Sequence, residues 1–378
     1  MRNLKSIILP IATLTGMIIG VGFFALPYIT LKVGLPVILI YFLILGIIVT
    51  IIHLIFGRLA VKTPDFKRFP GFVRFYLGEK AEKLALASSI IGGLGGLLAY
   101  LIVGSTFMKG LLSPFLNVGD NIYIFIYFFL GSLFVFSGIK SISKLSFWFL
   151  SFFLLVLAVM FNHFSSMIQI DNLFLGSANT MKDYFLPYGA ILYSLWGVSL
   201  IPDVEEMLKG KKQLIGKTIF FATIIPIIIY LCFIYLILGL TGVNTTEMAL
   251  AGLESYIGPQ MISLLLILGI LTTFTSYISS GLVLKKILIY DLEIKHGLAW
   301  AIACFIPLIS LMAGLNNFIG IISLLGGVGL SLNGALILLM YKKSINIEKG
   351  TNKKYFWFSP LILIFILGII YELIYFFT

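Results

Sequence analysis

Charge is scarce in this chain. Asp, Glu, Lys and Arg make up 11% of its 378 residues, against about 25% in soluble domains, so a water-solvated globular fold is excluded. Histidine is scarcer still: His53, His163 and His296 are the three in the chain, far apart in sequence. No metal cluster, Ser-His-Asp set or phosphate loop can be assembled around them. The two cysteines, Cys232 and Cys304, lie in separate apolar runs without CxxC spacing and read as small packing residues. A membrane enzyme would need a carboxylate or histidine cluster at an interface, and none is present, so no enzymatic activity and no resident cofactor are expected. The net charge of +11 does not indicate nucleic acid either, because the lysines are scattered through short connectors instead of forming a basic face.

What the chain has is apolar length. Hydrophobic residues make up 60% and the mean hydropathy is +1.11. A helix rising about 1.5 Å per residue crosses some 30 Å of hydrocarbon in about 20 residues. Runs of that kind are predicted at 4–29, 35–56, 84–108, 121–137, 145–161, 184–208, 219–240, 261–290, 298–315, 318–341 and 356–377, eleven spans. The first follows Met1–Lys5 without an AxA-like cleavage site and reads as a span, not a signal peptide. With the N-terminus in the cytoplasm, all but three of the 26 Lys and Arg fall in connectors on the inner side, the exceptions being Lys32, Lys109 and Lys182. Lys285 and Lys286 are counted among the inner connectors. This asymmetry predicts a multi-pass plasma-membrane protein with its C-terminus outside. The connector 57–83 is expected to carry a helix on the inner surface, and 243–258, too polar to span, is expected to cover the outer face as a lid.

Two spans are interrupted. Residues 15–28 carry Gly16, Gly20, Gly22 and Pro27 where a helix would continue. In hydrocarbon each unpaired backbone group costs several kcal/mol, so such a break survives only against protein or a polar cavity. The sixth span breaks in the same way at Ser194-Leu195-Trp196-Gly197-Val198-Ser199, with Pro202 following. Five crossings separate the two, so the halves have opposite topology. That predicts an inverted repeat of about 4–161 and 184–341, with 356–377 appended, all in one transmembrane domain of residues 1–378. Paired broken helices in inverted halves mark a midplane binding site in transporters.

The string Gly20-Val21-Gly22-Phe23-Phe24-Ala25-Leu26-Pro27-Tyr28 resembles the first-helix signature of the amino acid/auxin permeases and of the aromatic and hydroxy amino acid permeases. Both are branches of the amino acid/polyamine/organocation transporter superfamily. Trp196-Gly197-Val198 followed by Pro202-Asp203-Val204-Glu205-Glu206 is similar to that superfamily's sixth helix. The resemblance implies an all-α polytopic membrane protein of the leucine-transporter type, with a 5+5 inverted repeat. An amino acid would bind between helices 1, 3, 6, 8 and 10.

An α-amino acid brings a carboxylate and an ammonium, each needing several partners in a low dielectric. Backbone N–H groups at Gly20, Val21 and Gly22, backed by a helix dipole, suit the carboxylate. Carbonyls at Ile18, Ile19, Ser194 and Leu195 suit the ammonium. The predicted substrate contacts are therefore Ile18, Ile19, Gly20, Val21, Gly22 and Phe23 with Ser194, Leu195, Trp196 and Gly197. Trp196 either closes over the substrate or packs the bundle. On the third span, Gly92, Gly93, Gly95 and Gly96 serve close packing or leave room for a side chain; the resemblance implies Gly96 and Tyr100 as pocket liners.

Thr272, Thr275 and Ser276 share a face of the eighth span. Carried over from sodium-coupled members of the fold, the resemblance implies a sodium ion held by carbonyls of Gly16, Ile19 and Thr272 and hydroxyls of Thr275 and Ser276. The other reading is that these hydroxyls bond back to their own helix. Phe23 stands where some relatives place an asparagine for a second sodium. Some relatives put a proton-linked lysine in mid-helix 5, where this chain has Lys144 only at the edge. Asp203, Glu205 and Glu206 end the sixth span as solvated charges or as a relay, and Asp291 is a candidate to pair with Arg2 or Lys5. The expected function is import of a neutral amino acid by alternating access, sodium-coupled. Proton coupling, exchange and a binding-only sensor remain the alternatives.

Overall fold

The computed structural model describes residues 2–64, 67–116, 118–138, 142–178, 180–208, 210–349 and 359–377. Its helices are α1 (Arg2–Ile18), α2 (Leu26–Val33), α3 (Leu35–Lys62), α4 (Phe69–Leu77), α5 (Glu79–Leu112), α6 (Asp120–Ser137), α7 (Ile142–Phe164) and α8 (Met181–Leu195). They continue with α9 (Ile201–Met207), α10 (Ile215–Thr241), α11 (Pro259–Tyr290), α12 (His296–Met312), α13 (Phe318–Leu324), α14 (Ser331–Lys349) and α15 (Ser359–Phe377). Among the described residues, eight stretches are long and apolar enough to cross a membrane; the α1–α2 pair, bent by 50°, makes a ninth, and α12 and α15 are shorter apolar helices. These are the eleven segments expected.

Exposure is inverted relative to a soluble protein. Along α3, Leu39, Ile40, Leu43, Ile44 and Ile47 are exposed while Ile38, Phe42, Leu45, Val49 and Ile52 are buried. The two sets alternate with helical period. Because both faces are apolar, the outer one suits lipid and hydrophobicity alone cannot drive the helices together. Close packing at small residues does that work. The ring of Tyr127 in α6 fills the space above Gly104 in α5, and Phe107 lies against Gly269 in α11. A close backbone approach joins α8 to the tenth span, where a side chain on Gly326 would overlap the Gly189 carbonyl.

The tenth span was expected as one helix over 318–341. It instead widens into a π turn at Leu325–Leu330 between α13 and α14. Gly326, Gly327 and Gly329 let the chain accommodate the extra residue. Glu372 of α15, 2% exposed, inserts into the notch these glycines leave, so that a side chain on Gly327 would overlap its Cγ.

Two connector expectations change. The helix in 57–83 is α4, but it docks on the bundle: Phe69, Pro70, Phe72, Val73 and Tyr76 are buried, and Phe56 meets Phe69 and Phe72 edge-on. Lys285 is not in a connector; it lies within α11, 3% exposed, and its ammonium donates to the carbonyls of Val135 and Phe136 at 2.9 and 3.0 Å. A buried ammonium is tolerated there because the unpaired carbonyls at the end of α6 receive it. Lys109, one of the three cations outside the inner set, pairs with Asp120 at 2.7 Å. The segment 243–258 does pack inward, burying Ala249, Leu250, Leu253 and Ile257, with Leu250 against Gly269. Lys140, Lys209, Lys353 and Lys354 lie outside the described residues, as do the side chains of Arg2, Lys5, Lys144, Lys182 and Lys349.

Candidate functional site

Helix α1 stops at Ile18, and the chain turns through Ile19–Val21 into a 3-10 turn at Gly22–Ala25 that leads into α2. The Ile19 N–H still reaches Thr15 O at 2.8 Å, and Gly20 N–H reaches Ile18 O at 2.7 Å. The next three N–H groups, of Val21, Gly22 and Phe23, meet no acceptor among the described residues. They lead into the outer half-helix, where the helix dipole is positive. The second break falls where expected: α8 ends at Leu195, Trp196 is extended, and a 3-10 turn at Val198–Leu200 leads into α9.

A single side chain joins the breaks. Tyr230 of α10 places its hydroxyl 2.8 Å from Ile18 O and 2.9 Å from Ser194 O. Behind Trp196, the Gly197 N–H donates to His53 Nε2 at 3.1 Å, and His53 Nδ1 lies 3.1 Å from Thr223 Oγ1, which donates to Ile219 O. Since Nε2 accepts, Nδ1 carries the proton and donates onward. His53 and Tyr230 were not singled out from sequence. The available signal was a lone histidine inside a 28-residue apolar helix, because ionisable residues at membrane depth are there for a reason. Tyr230→Phe removes the one hydroxyl proton shared by the two carbonyls; Ile18 O keeps the Gly20 N–H and Ser194 O is left without its donor, a cost of about 1–3 kcal/mol. The substitution is expected to lower the melting midpoint in detergent more than Tyr235→Phe, on the same helix.

Between the breaks lies a cavity of about 170 Å³. Of the predicted substrate contacts, Ile18, Gly20, Gly22, Gly96, Tyr100, Ser194 and Trp196 line it. Ile19 faces a second, smaller cavity. Val21 and Leu195 are buried in the packing, and Gly197 sits against Ile18 and Leu14. Phe23 points away, stacked on Tyr230 with centroids 5.7 Å apart and edge-on to Phe233 at 4.8 Å. Phe24 meets Phe107 edge-on at 4.8 Å.

In the opposite direction the lining runs along α5 and α11 to Arg68 and Phe69. Arg68 Nε is 3.1 Å from Asp291 Oδ2, and its guanidinium lies 4.4 Å from the centre of the Tyr290 ring. Asp291 therefore has a partner in Arg68, at the start of α4, which sequence reading had not paired with it. Glu206 is exposed and Glu205 half-buried at the end of α9.

The smaller cavity, about 20 Å³, is lined by Gly16, Ile19, Phe149, Leu150, Phe153, Thr272 and Thr275. That volume suits one water-sized occupant. Four of the five residues predicted to hold a cation thus meet around one space. The fifth, Ser276, does not line it. The Thr272 hydroxyl donates to Leu268 O at 2.8 Å, and the Thr275 hydroxyl lies 3.0 Å from both Leu271 O and Thr272 O. Both readings of these hydroxyls therefore coexist: the proton points back along the helix, and the oxygen lone pairs remain for an ion. The oxygens are hard donors without a carboxylate, a set suited to a monovalent cation.

The tryptophan/tyrosine permease family model matches residues 3–374. No curated protein matches the chain. Among solved structures, the chain is similar to Mhp1, a nucleobase-cation-symport-1 family transporter, in a closed conformation with bromovinylhydantoin bound. The TM-score is 0.68 at 12% identity, over 97% of this chain and 90% of that one. The inward-facing conformation of Mhp1 gives 0.67 at 12% identity, over 97% and 88%. MhsT in complex with L-phenylalanine gives 0.65 at 15% identity, over 98% and 97%. At these identities the likeness establishes the fold, which is that of the leucine-transporter class.

Proposed function

Since the chain belongs to the tryptophan/tyrosine permease family, we propose that the cavity between the breaks holds an aromatic amino acid, which the protein imports by alternating access. The observation that carries this is the run of three N–H groups, Val21 to Phe23, without acceptors among the described residues, at a break whose Gly20 and Gly22 line the cavity. A carboxylate satisfies all three and gains the dipole of the outer half-helix. The ammonium takes the free lone pair of Ser194 O, which the Tyr230 hydroxyl holds beside Ile18 O. A flat ring lies along the side-chain-free face of α5 at Gly92, Gly93 and Gly96.

The lining that reaches Arg68 and Phe69 favours an inward-directed state. The basic connectors favour a cytoplasmic position for that end, with the halves 4–161 and 184–341 taken as the inverted repeats. The family resemblance of the first break supports a place in the amino acid/polyamine/organocation superfamily. Sodium at Gly16, Ile19, Thr272 and Thr275 would brace α1 against α11. It would thereby link ion binding to the shape of the first break.

The test is uptake into proteoliposomes of labelled tryptophan, tyrosine, phenylalanine and leucine, with sodium and pH gradients imposed separately. Accumulation of the aromatic substrates driven by sodium supports the reading. A response to the pH gradient alone turns the coupling to protons, a need for internal substrate identifies exchange, and binding without uptake identifies a sensor. Thr275→Val, which keeps the shape and removes the oxygen, is expected to raise the half-saturating sodium concentration about tenfold, the equivalent of 1.4 kcal/mol. An unchanged sodium response removes the cation from this cavity.

A further inference from the structure

In a helix that ran on through the sixth span, the Gly197 N–H would bond to the carbonyl four residues back, Tyr193 O, and the Val198 N–H would bond to Ser194 O. Neither bond is present among the described residues. Trp196 is extended, Tyr193 O accepts from the Trp196 N–H at 3.3 Å, and the Gly197 N–H is turned to His53 Nε2, 3.1 Å away on α3. His53 is 0% exposed, and its ring meets that of Trp196 edge-on with centroids 5.9 Å apart. Thr50, one turn earlier on α3, bonds back to its own helix at Gly46 O. His53 reaches α10 and the second break instead.

The acceptor matters because of what the chain would do without it. A buried N–H with no partner is costly, and the partner a helix offers is Tyr193 O, reached by returning Trp196 to helical torsions. The same motion would bring the Val198 N–H onto Ser194 O. Tyr230 already takes one lone pair of that oxygen, so rewinding would consume the one left for a substrate ammonium and would draw Trp196 from the cavity wall it lines. Histidine can prevent this in one tautomer only. The Thr223 hydroxyl gives its proton to Ile219 O at 3.0 Å, so towards His53 Nδ1, 3.1 Å away, it acts as acceptor. Nδ1 therefore carries the ring proton, and a bare Nε2 faces Gly197. In the other tautomer, N–H would face N–H.

We propose that His53 is the positioning residue of the second break: it stands in for the Tyr193 carbonyl and keeps the sixth span from rewinding, while Thr223 holds it in the tautomer that can do so. His53 does not line the cavity and acts on transport through Ser194 O and Trp196. That consequence rests on the amino acid reading above, in which Ser194 O takes the ammonium. The holding of the break does not.

The experiment compares His53→Gln, whose amide oxygen reaches the place of Nε2, with His53→Leu, which fills the space and accepts nothing. In the full chain with its other three tryptophans changed to phenylalanine, Trp196 alone reports on the break. Its emission maximum and its quenching by acrylamide are expected to be the same with histidine and glutamine and to shift with leucine. In the otherwise unchanged protein, kcat/KM for tryptophan uptake is expected to fall at least about tenfold in His53→Leu and to stay within about threefold of wild type in His53→Gln. Glutamine cannot carry a proton, so that rescue also separates holding the break from proton transfer. Thr223→Val, which frees the ring to take the other tautomer, is expected to cost about threefold or more in wild type and nothing further in His53→Gln. Unshifted Trp196 emission in His53→Leu, or a glutamine variant as poor as the leucine one, overturns the proposal, as does an equal loss from Thr223→Val in both backgrounds. If His53→Leu fails to fold, the Thr223→Val comparison decides. If wild type carries no tryptophan, the reading of the cargo fails, and the Trp196 emission decides on His53 by itself.

Discussion

Gly22→Ala is expected to abolish uptake while leaving a folded, membrane-inserted protein. A methyl at Gly22 would overlap Ser194 Oγ, with Tyr193 Cδ1 at 2.9 Å and Ser194 Cα at 3.3 Å. Gly22 faces the second break directly, so the two breaks must part to admit the methyl. The N–H groups of residues 21–23 then move relative to the carbonyls of Ile18 and Ser194. Positioning errors near 1 Å at a reacting or binding constellation cost about 100-fold, and a loss of that size in kcat/KM is expected. Adding Ser194→Gly removes the nearest obstruction but leaves the Tyr193 ring and the Cα in place. The double variant is therefore expected to recover only part of the loss. Full activity in the single variant would mean that the breaks are not held in contact during transport.

Gly326→Ala is expected to have the largest effect on stability. Its methyl would overlap the Gly189 carbonyl oxygen, with Gly189 C at 2.7 Å and Tyr193 N at 3.0 Å. All three are backbone atoms, so no side chain can swing aside. Overpacking that only backbone movement can relieve costs about 3 kcal/mol. In a bundle held by close approach of small residues, the same change removes the contact between α8 and the π turn. Gly297→Ala is the control, since its methyl meets nothing within 4 Å. The melting midpoint in detergent is expected to drop sharply for Gly326→Ala and to stay near wild type for Gly297→Ala.

Much of the architecture was legible because membrane spans announce themselves by length. The breaks announced themselves because glycine and proline are costly inside a lipid-embedded helix unless something answers for them. Residues 15–28 and 194–199 are broken in the structure. The hydroxyls of the eighth span were legible by helical spacing, yet spacing placed Ser276 with Thr272 and Thr275, and the small cavity takes only the latter two.

The rest depends on who meets whom across the bundle. Tyr230 and His53 look like ordinary residues of apolar helices until α10 and α3 are laid against the breaks. Lys285 was grouped with the inner connectors because a lysine near the inner end of a span ordinarily reaches water; that it turns to the carbonyls ending α6 depends on how α6 and α11 pack. The π turn was missed because the Gly326-Gly327-Gly329 pattern reads equally as close packing.

The most direct measurement is a structure of the protein with tryptophan bound. The account predicts the carboxylate within about 3 Å of the N–H groups of Val21, Gly22 and Phe23, and the indole along Gly92, Gly93 and Gly96. Tryptophan located elsewhere, with those three N–H groups unmet by its carboxylate, would contradict it.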